Sequence, residues 1–137
     1  MAPSTSRATG SAEIAGVRDA CLQYHPAVVS LTGTLERRTY PGRPDYESIK
    51  KGDEPETHFY MKLRRSVCTS GNPQSPDAYP QHDVNLVQLV LEPAGYRQLR
   101  PKLGRNVTLR GLLYAQHTGH HHAPLLLRNV VLMNDAR

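Results

Sequence analysis

His117, His120, His121 and His122 stand in one short polar stretch, QHTGHHHAP, between two apolar runs. Neutral imidazole is the commonest protein ligand for zinc, copper and nickel, so a tract this dense is a candidate site for a divalent transition metal. A β-turn brings positions i and i+3 together, which pairs His117 with His120. Consecutive histidines in extended backbone point to opposite sides, so His121 does not readily share an ion with its neighbours. His117, His120 and His122 are therefore the expected ligands, although no carboxylate lies within the turn to complete a tetrahedral set. The competing expectation is structural: a turn whose histidines hydrogen-bond the backbone and brace the long connection at 36–56.

That connection, ERRTYPGRPDYESIKKGDEPE, holds Tyr40, Asp45, Tyr46, Glu47, Asp53, Glu54 and Glu56. Paired carboxylates can do the acid–base work of glycoside hydrolysis. Here they are interleaved with Arg43, Lys50 and Lys51 among prolines, the pattern of solvated ion pairs. Tyrosine, proline and mixed charge together suit a protein-binding surface. The expected contacts are Tyr40, Tyr46, Lys50 and Glu54, with His121 from the turn. Ser30, Ser48, Ser66 and Thr118 lack a GxSxG setting, and neither a Walker loop nor GxGxxG occurs. Nothing in the sequence marks an enzyme.

Two cysteines, Cys21 and Cys68, without a CxxC spacing exclude a zinc site built from cysteine alone. They form either two free thiols or one bridge. The net charge of +5 permits an anionic partner, but the lysines and arginines are scattered rather than run together, so the basic balance reads as a solvated surface. No segment is apolar enough to span a membrane.

These residues must be positioned by the elements around them. Val29, Leu31, Gly33 and Leu35 alternate with Val28, Ser30, Thr32 and Thr34, the period of a strand, with Gly33 marking a bend or bulge. Phe59, Met61 and Leu63 alternate inward against His58, Tyr60 and Lys62 in a second strand; Val84 to Leu91 is a third. Pro93 opens a short helix carrying Tyr96, Leu99 and Leu103 on one face, cut by Pro101 and stopped at Gly104. Val107, Leu109, Gly111 and Leu113 alternate in a fourth strand, and Leu125 to Met133 is the fifth. The predicted fold is mainly β: a five-stranded, OB-like, partly open barrel with one short α-helix between strands 3 and 4, spanning 21–135 as a single domain. An open β-sandwich with one helix is the alternative. Residues 1–20 read as a disordered leader or mature N-terminal tail, without the apolar core of a signal peptide. An OB face on the second strand would offer His58, Tyr60 and Lys62, a thin stacking platform for nucleic acid.

The segments VVSLTGTLERRTYPGRPDYESIKKGDEPETHFYMKL, LVQLVL and LGRNVTLRGLLYAQHTGHHHAPLLL resemble the bacterial family catalogued as domain of unknown function 4431, from Cys21 to about Met133. The resemblance implies small exported proteins of Gram-negative bacteria, hence a periplasmic chain whose export signal has been removed, and it favours a Cys21–Cys68 bridge; a native Met1 would instead imply the cytoplasm. It brings no catalytic residue.

The function expected from these features is that of a non-catalytic exported binding module without a cofactor. Its partner would be another protein, a secreted effector or envelope enzyme, which it occludes as an inhibitor or immunity protein. The alternatives are a periplasmic metal- or small-ligand-binding barrel using the histidine turn, and a single-stranded nucleic-acid binder; nucleic acid is the wrong partner for an exported chain.

Overall fold

The computed structural model describes residues 20–135; the expected leader lies outside them but for Ala20. The strands are β1 (Leu22–Gln23), β2 (Val28–Pro41), β3 (Pro55–Ser70), β4 (Gln81–Leu89), β5 (Asn106–Ala115) and β6 (Leu125–Asp135). Between β4 and β5 come the helix α1 (Pro93–Leu99) and one 3₁₀ turn, Arg100–Lys102. Pro93 sits in the first helical turn, where its missing N–H costs nothing, and Pro101 falls in the 3₁₀ turn that replaces a further α turn.

The strands form one sheet whose hydrogen bonds close a ring. β2 pairs antiparallel with β3 on one side and β5 on the other, β3 pairs antiparallel with β4, and β5 with β6. The ring shuts through a parallel seam, Val87 to Leu125 through Leu89 to Leu127. β1 runs parallel to the end of β3, and Cys21 and Cys68 are bridged beside it.

The alternation read from the sequence places the core. Val29, Leu31, Leu35, Phe59, Met61, Leu63, Val87, Leu89, Leu109, Leu113, Leu125 and Leu127 are buried together inside the ring, and Leu99 is added from the helix. Two glycines allow neighbouring strands to approach. A Cβ on Gly33 would lie 2.2 Å from the Lys62 carbonyl oxygen, and one on Gly111 would lie 2.5 Å from that of Arg128. The bend expected at Gly33 is thus a close crossing of β2 and β3. Gly104, at φ +84°, turns the chain after the 3₁₀ segment, and its N–H donates to the Leu35 carbonyl at 2.7 Å.

Three expectations are corrected. The sheet has six strands where five were expected, because the short β1 adds to the end of β3. The connection read as 36–56 is shorter, because β2 continues through Pro41 and β3 begins at Pro55, with Pro41 opposite Pro55 and Tyr40 opposite Glu56. Charged residues at 36–38 hid this extension, since a solvated strand stretch shows no apolar alternation. Tyr60 points away from the core, as its phase requires, yet it is fully buried with Leu126 and Ala123. The histidine turn is anchored outside the ring, to Glu56 on β3 and Gln88 on β4.

Candidate functional site

The two long connections meet at Glu56. β3 places Glu56 at its start, and β5 and β6 hold the turn 116–124 between them. His120 Nδ1 donates to Glu56 Oε2, and His122 Nε2 donates to Glu56 Oε1 at 3.0 Å. His120 sits in the turn closed by the His121 N–H to the Thr118 carbonyl at 3.0 Å, and the His121 ring points back into that turn instead of toward the carboxylate. The Tyr46 hydroxyl lies 3.1 Å from Nε2 of the same His120 ring. Tyr40 stacks on His122 with ring centroids 4.7 Å apart. Gly119 leaves room for Tyr46, since a Cβ there would lie 3.0 Å from the phenol ring.

Gln88, buried on β4, fixes the turn from below. Its amide donates to the His120 carbonyl at 3.1 Å and its Oε1 accepts the His122 N–H at 2.7 Å. His121 braces the turn from within: Nδ1 accepts the N–H groups of His117 at 3.1 Å and Thr118 at 3.3 Å. Asp53 does the same for the facing loop, accepting the N–H groups of Asp45, Glu47 and Ser48 at 2.7–2.9 Å. That arrangement holds Tyr46 at φ +57°, a left-handed conformation uncommon for a bulky residue.

The electrostatics follow from the contacts. Burial pushes the Glu56 carboxyl up, but hydrogen bonds from His122 and His120 outweigh it and hold the group below the ordinary glutamate range. Backbone N–H donors from Ser48, Glu47 and Asp45 lower Asp53. Burial, followed by the neighbouring His117 and Arg128 charges, lowers His121 to about 4. Burial also lowers His58, whose Nδ1 lies 3.1 Å from the Tyr96 hydroxyl. The buried Tyr60 hydroxyl has no hydrogen-bond partner among the described residues.

The expected metal ligands are not brought to one point. His117 packs edge-on against His121, centroids 4.8 Å apart, while His120 and His122 take opposite oxygens of one carboxylate. Among the described residues no group of three or more histidine, cysteine, aspartate or glutamate side chains is arranged to hold a metal ion. Of the expected protein contacts, Tyr40 and Tyr46 join the cluster, Lys50 and Glu54 are exposed on the loop, and His121 is turned inward. Burial of Tyr60 removes it from the stacking platform expected beside His58 and Lys62. Sequence reasoning missed Gln88 and the role of Glu56. An isolated glutamine inside the apolar run LVQLVL was the available signal for the first; nothing local indicates that Glu56 meets a turn 64 residues away.

Residues 86–131 match the model of the family described as Domain of unknown function (DUF4431), a span from β4 into β6 that includes the histidine turn and Gln88. No curated protein matches the chain, and no solved structure matches it.

Proposed function

We propose that this chain, which carries a DUF4431 segment, is a non-catalytic exported binding module that occludes another protein through the face made by the 42–54 loop and the histidine turn. The observation that carries this reading is the joining of the two connections by Glu56, His120, His122 and Tyr46. Two long loops left separate would lose conformational entropy on binding; tied together, they present a preorganised face. Exposed Ile49, Lys50, Lys51 and Glu54 stand beside it, and their mixed charges suit electrostatic steering of a protein partner.

The ring order β2-β3-β4-β6-β5, with a helix between β4 and β5, supports the OB-like reading, with the opening expected in a partly open barrel bridged by the short β4–β6 seam. In such barrels the loops between the first and second and between the fourth and fifth strands flank the ligand-binding face. Those are the two connections joined here. The Cys21–Cys68 bridge supports a periplasmic or other oxidising setting, and an effector or envelope hydrolase as the partner to be inhibited. The order Tyr46 hydroxyl, His120, Glu56 is that of an activated nucleophile. None of the three lines the two clefts beside Tyr24, and the arrangement is read as a clasp.

Affinity capture from envelope and secreted fractions, with mass spectrometry of the retained proteins, tests the proposal. The expected result is one stoichiometric partner that binds the parent chain and is lost with Tyr46→Ala combined with Glu56→Gln. Unchanged affinity of that partner for the double variant, or for Tyr46→Ala with His121→Ala, would show that the face lies elsewhere.

A further inference from the structure

On the other flank of the histidine turn a cleft of about 280 Å³ opens between the turn before β2, the 72–78 loop and the end of β5. Tyr24, His25, Asn72, Asp77, Tyr114 and His117 are among the residues that line it. Its floor is fixed: the Tyr24 hydroxyl donates to the Tyr79 carbonyl at 2.7 Å and accepts from Thr69 Oγ1 at 3.1 Å and Gln81 Nε2 at 3.2 Å. Its rim is closed by the Asn72 N–H to the Ala78 carbonyl at 2.8 Å and the Ala78 N–H to the Ser75 carbonyl at 2.9 Å. A second, more open cleft shares Tyr24, His25, Pro26 and Asn72 with it and continues past Gly71 and Pro73.

The charge of this cleft runs against that of the molecule. The chain carries +5, yet no lysine or arginine lines the cleft, and Asp77 is its only carboxylate. That carboxylate makes no hydrogen bond or ion pair with any described residue. In the same lining the exposed His25 ring stacks on Tyr114, centroids 4.8 Å apart and 15° from parallel, and the Arg128 guanidinium lies over the same Tyr114 ring at 5.2 Å. The volume suits one side chain better than a drug-sized ligand.

We propose that the cleft receives an arginine side chain of the partner protein, its guanidinium stacked on His25 and paired with the Asp77 carboxylate. A planar guanidinium can stack and make a two-pronged carboxylate contact at once, which a lysine ammonium cannot. The open cleft alongside accommodates the residues flanking that arginine. This inference rests on the protein-binding reading and adds the chemistry by which the partner is anchored.

NMR titration of the full chain with N-acetyl-arginine methylamide tests it, with the lysine and norleucine analogues and N-acetylglucosamine as comparators. The expected result is saturable shifts at His25, Asp77 and Tyr114 in the millimolar range, weaker shifts with lysine and none with norleucine. Asp77→Asn should weaken the arginine probe by at least about threefold. Absent saturation, an equal response to norleucine, a stronger one to the sugar, or indifference to Asp77→Asn would overturn the proposal. Capture of a partner insensitive to Asp77→Asn would overturn the arginine anchor while leaving the protein-binding reading standing. Probe binding without any captured protein partner would overturn the partner assignment as well.

Discussion

Glu56 accepts two imidazole N–H groups with its two oxygens, so the substitution that keeps its shape but not its charge is the informative one. Glu56→Gln turns one oxygen into an N–H₂ that faces a histidine donor. The expected loss is about 1 kcal/mol in chemical denaturation, with faster amide exchange at 42–54 and 116–122; unchanged exchange there would mean that the clasp does not order the loops. Tyr60 makes the opposite case. Its hydroxyl is buried without a partner among the described residues, so Tyr60→Phe should be neutral or stabilising by up to about 1 kcal/mol, and a clear loss of stability would reveal a partner for that hydroxyl. His121 sets the behaviour in acid. Its nitrogen accepts two backbone N–H groups, and burial holds the ring near 4 in the folded chain against about 6.5 when unfolded. Between those values the unfolded chain binds more protons. The contribution of His121 is therefore complete above pH 6.5 and is lost as pH falls toward 4. The lowered Glu56 carboxyl contributes above its unfolded value and is lost only as pH drops through its folded one. The His117 and Thr118 amides should thus lose exchange protection on acidification in step with His121 protonation, followed by NMR. A His121 that titrates at its ordinary value without disturbing those amides would contradict this account.

The strands depend on two glycines. Gly33→Ala would drive a methyl group into the Lys62 carbonyl, which is backbone and cannot swing aside. Overpacking of this kind costs about 1–3 kcal/mol, and here the expected outcome lies at or above the top of that range, read from the denaturant midpoint; a near-neutral result would mean that β2 and β3 separate easily. Gly33 could be singled out from sequence because it interrupts an alternating strand. The inward faces of β2, β3 and β5 were legible in the same way, since burial on one face of a strand imposes period two on its residues. The outer face was not. Tyr60 meets Tyr40 edge-on, ring centroids 5.8 Å apart, through the pairing of β2 with β3, and Glu36, Arg38 and Tyr40 contact one another along β2, with Arg38 Nε donating to Glu36 at 2.9 Å. The histidines and loop tyrosines were recognisable as unusual by type alone. Their joining through Glu56 and Gln88 is a product of topology, which local pattern does not encode.

For the molecule as a whole, the bridge between Cys21 and Cys68 encloses a segment with a sequence separation of 47. On the chain-entropy model a loop of that length stabilises by about 4 kcal/mol. Replacing both cysteines by serine should lower stability by that order while the ring still forms, because the ring pairings between β2 and β6 do not involve β1. Denaturant unfolding with and without reductant measures this, and coincident curves would mean that the bridge constrains little.

The clasp has a temporal side as well. Tyr46 and Glu56 are contributed by the first long hairpin, His120 and His122 by the last, so a ribosome has made half the face long before it makes the other. A chain that stops short of the turn, or whose final strand has not docked, has nothing to close on Glu56 and presents only an untethered loop. The surface proposed to engage a partner therefore reports that synthesis and folding have both finished, and a partner that requires it would ignore every incomplete copy.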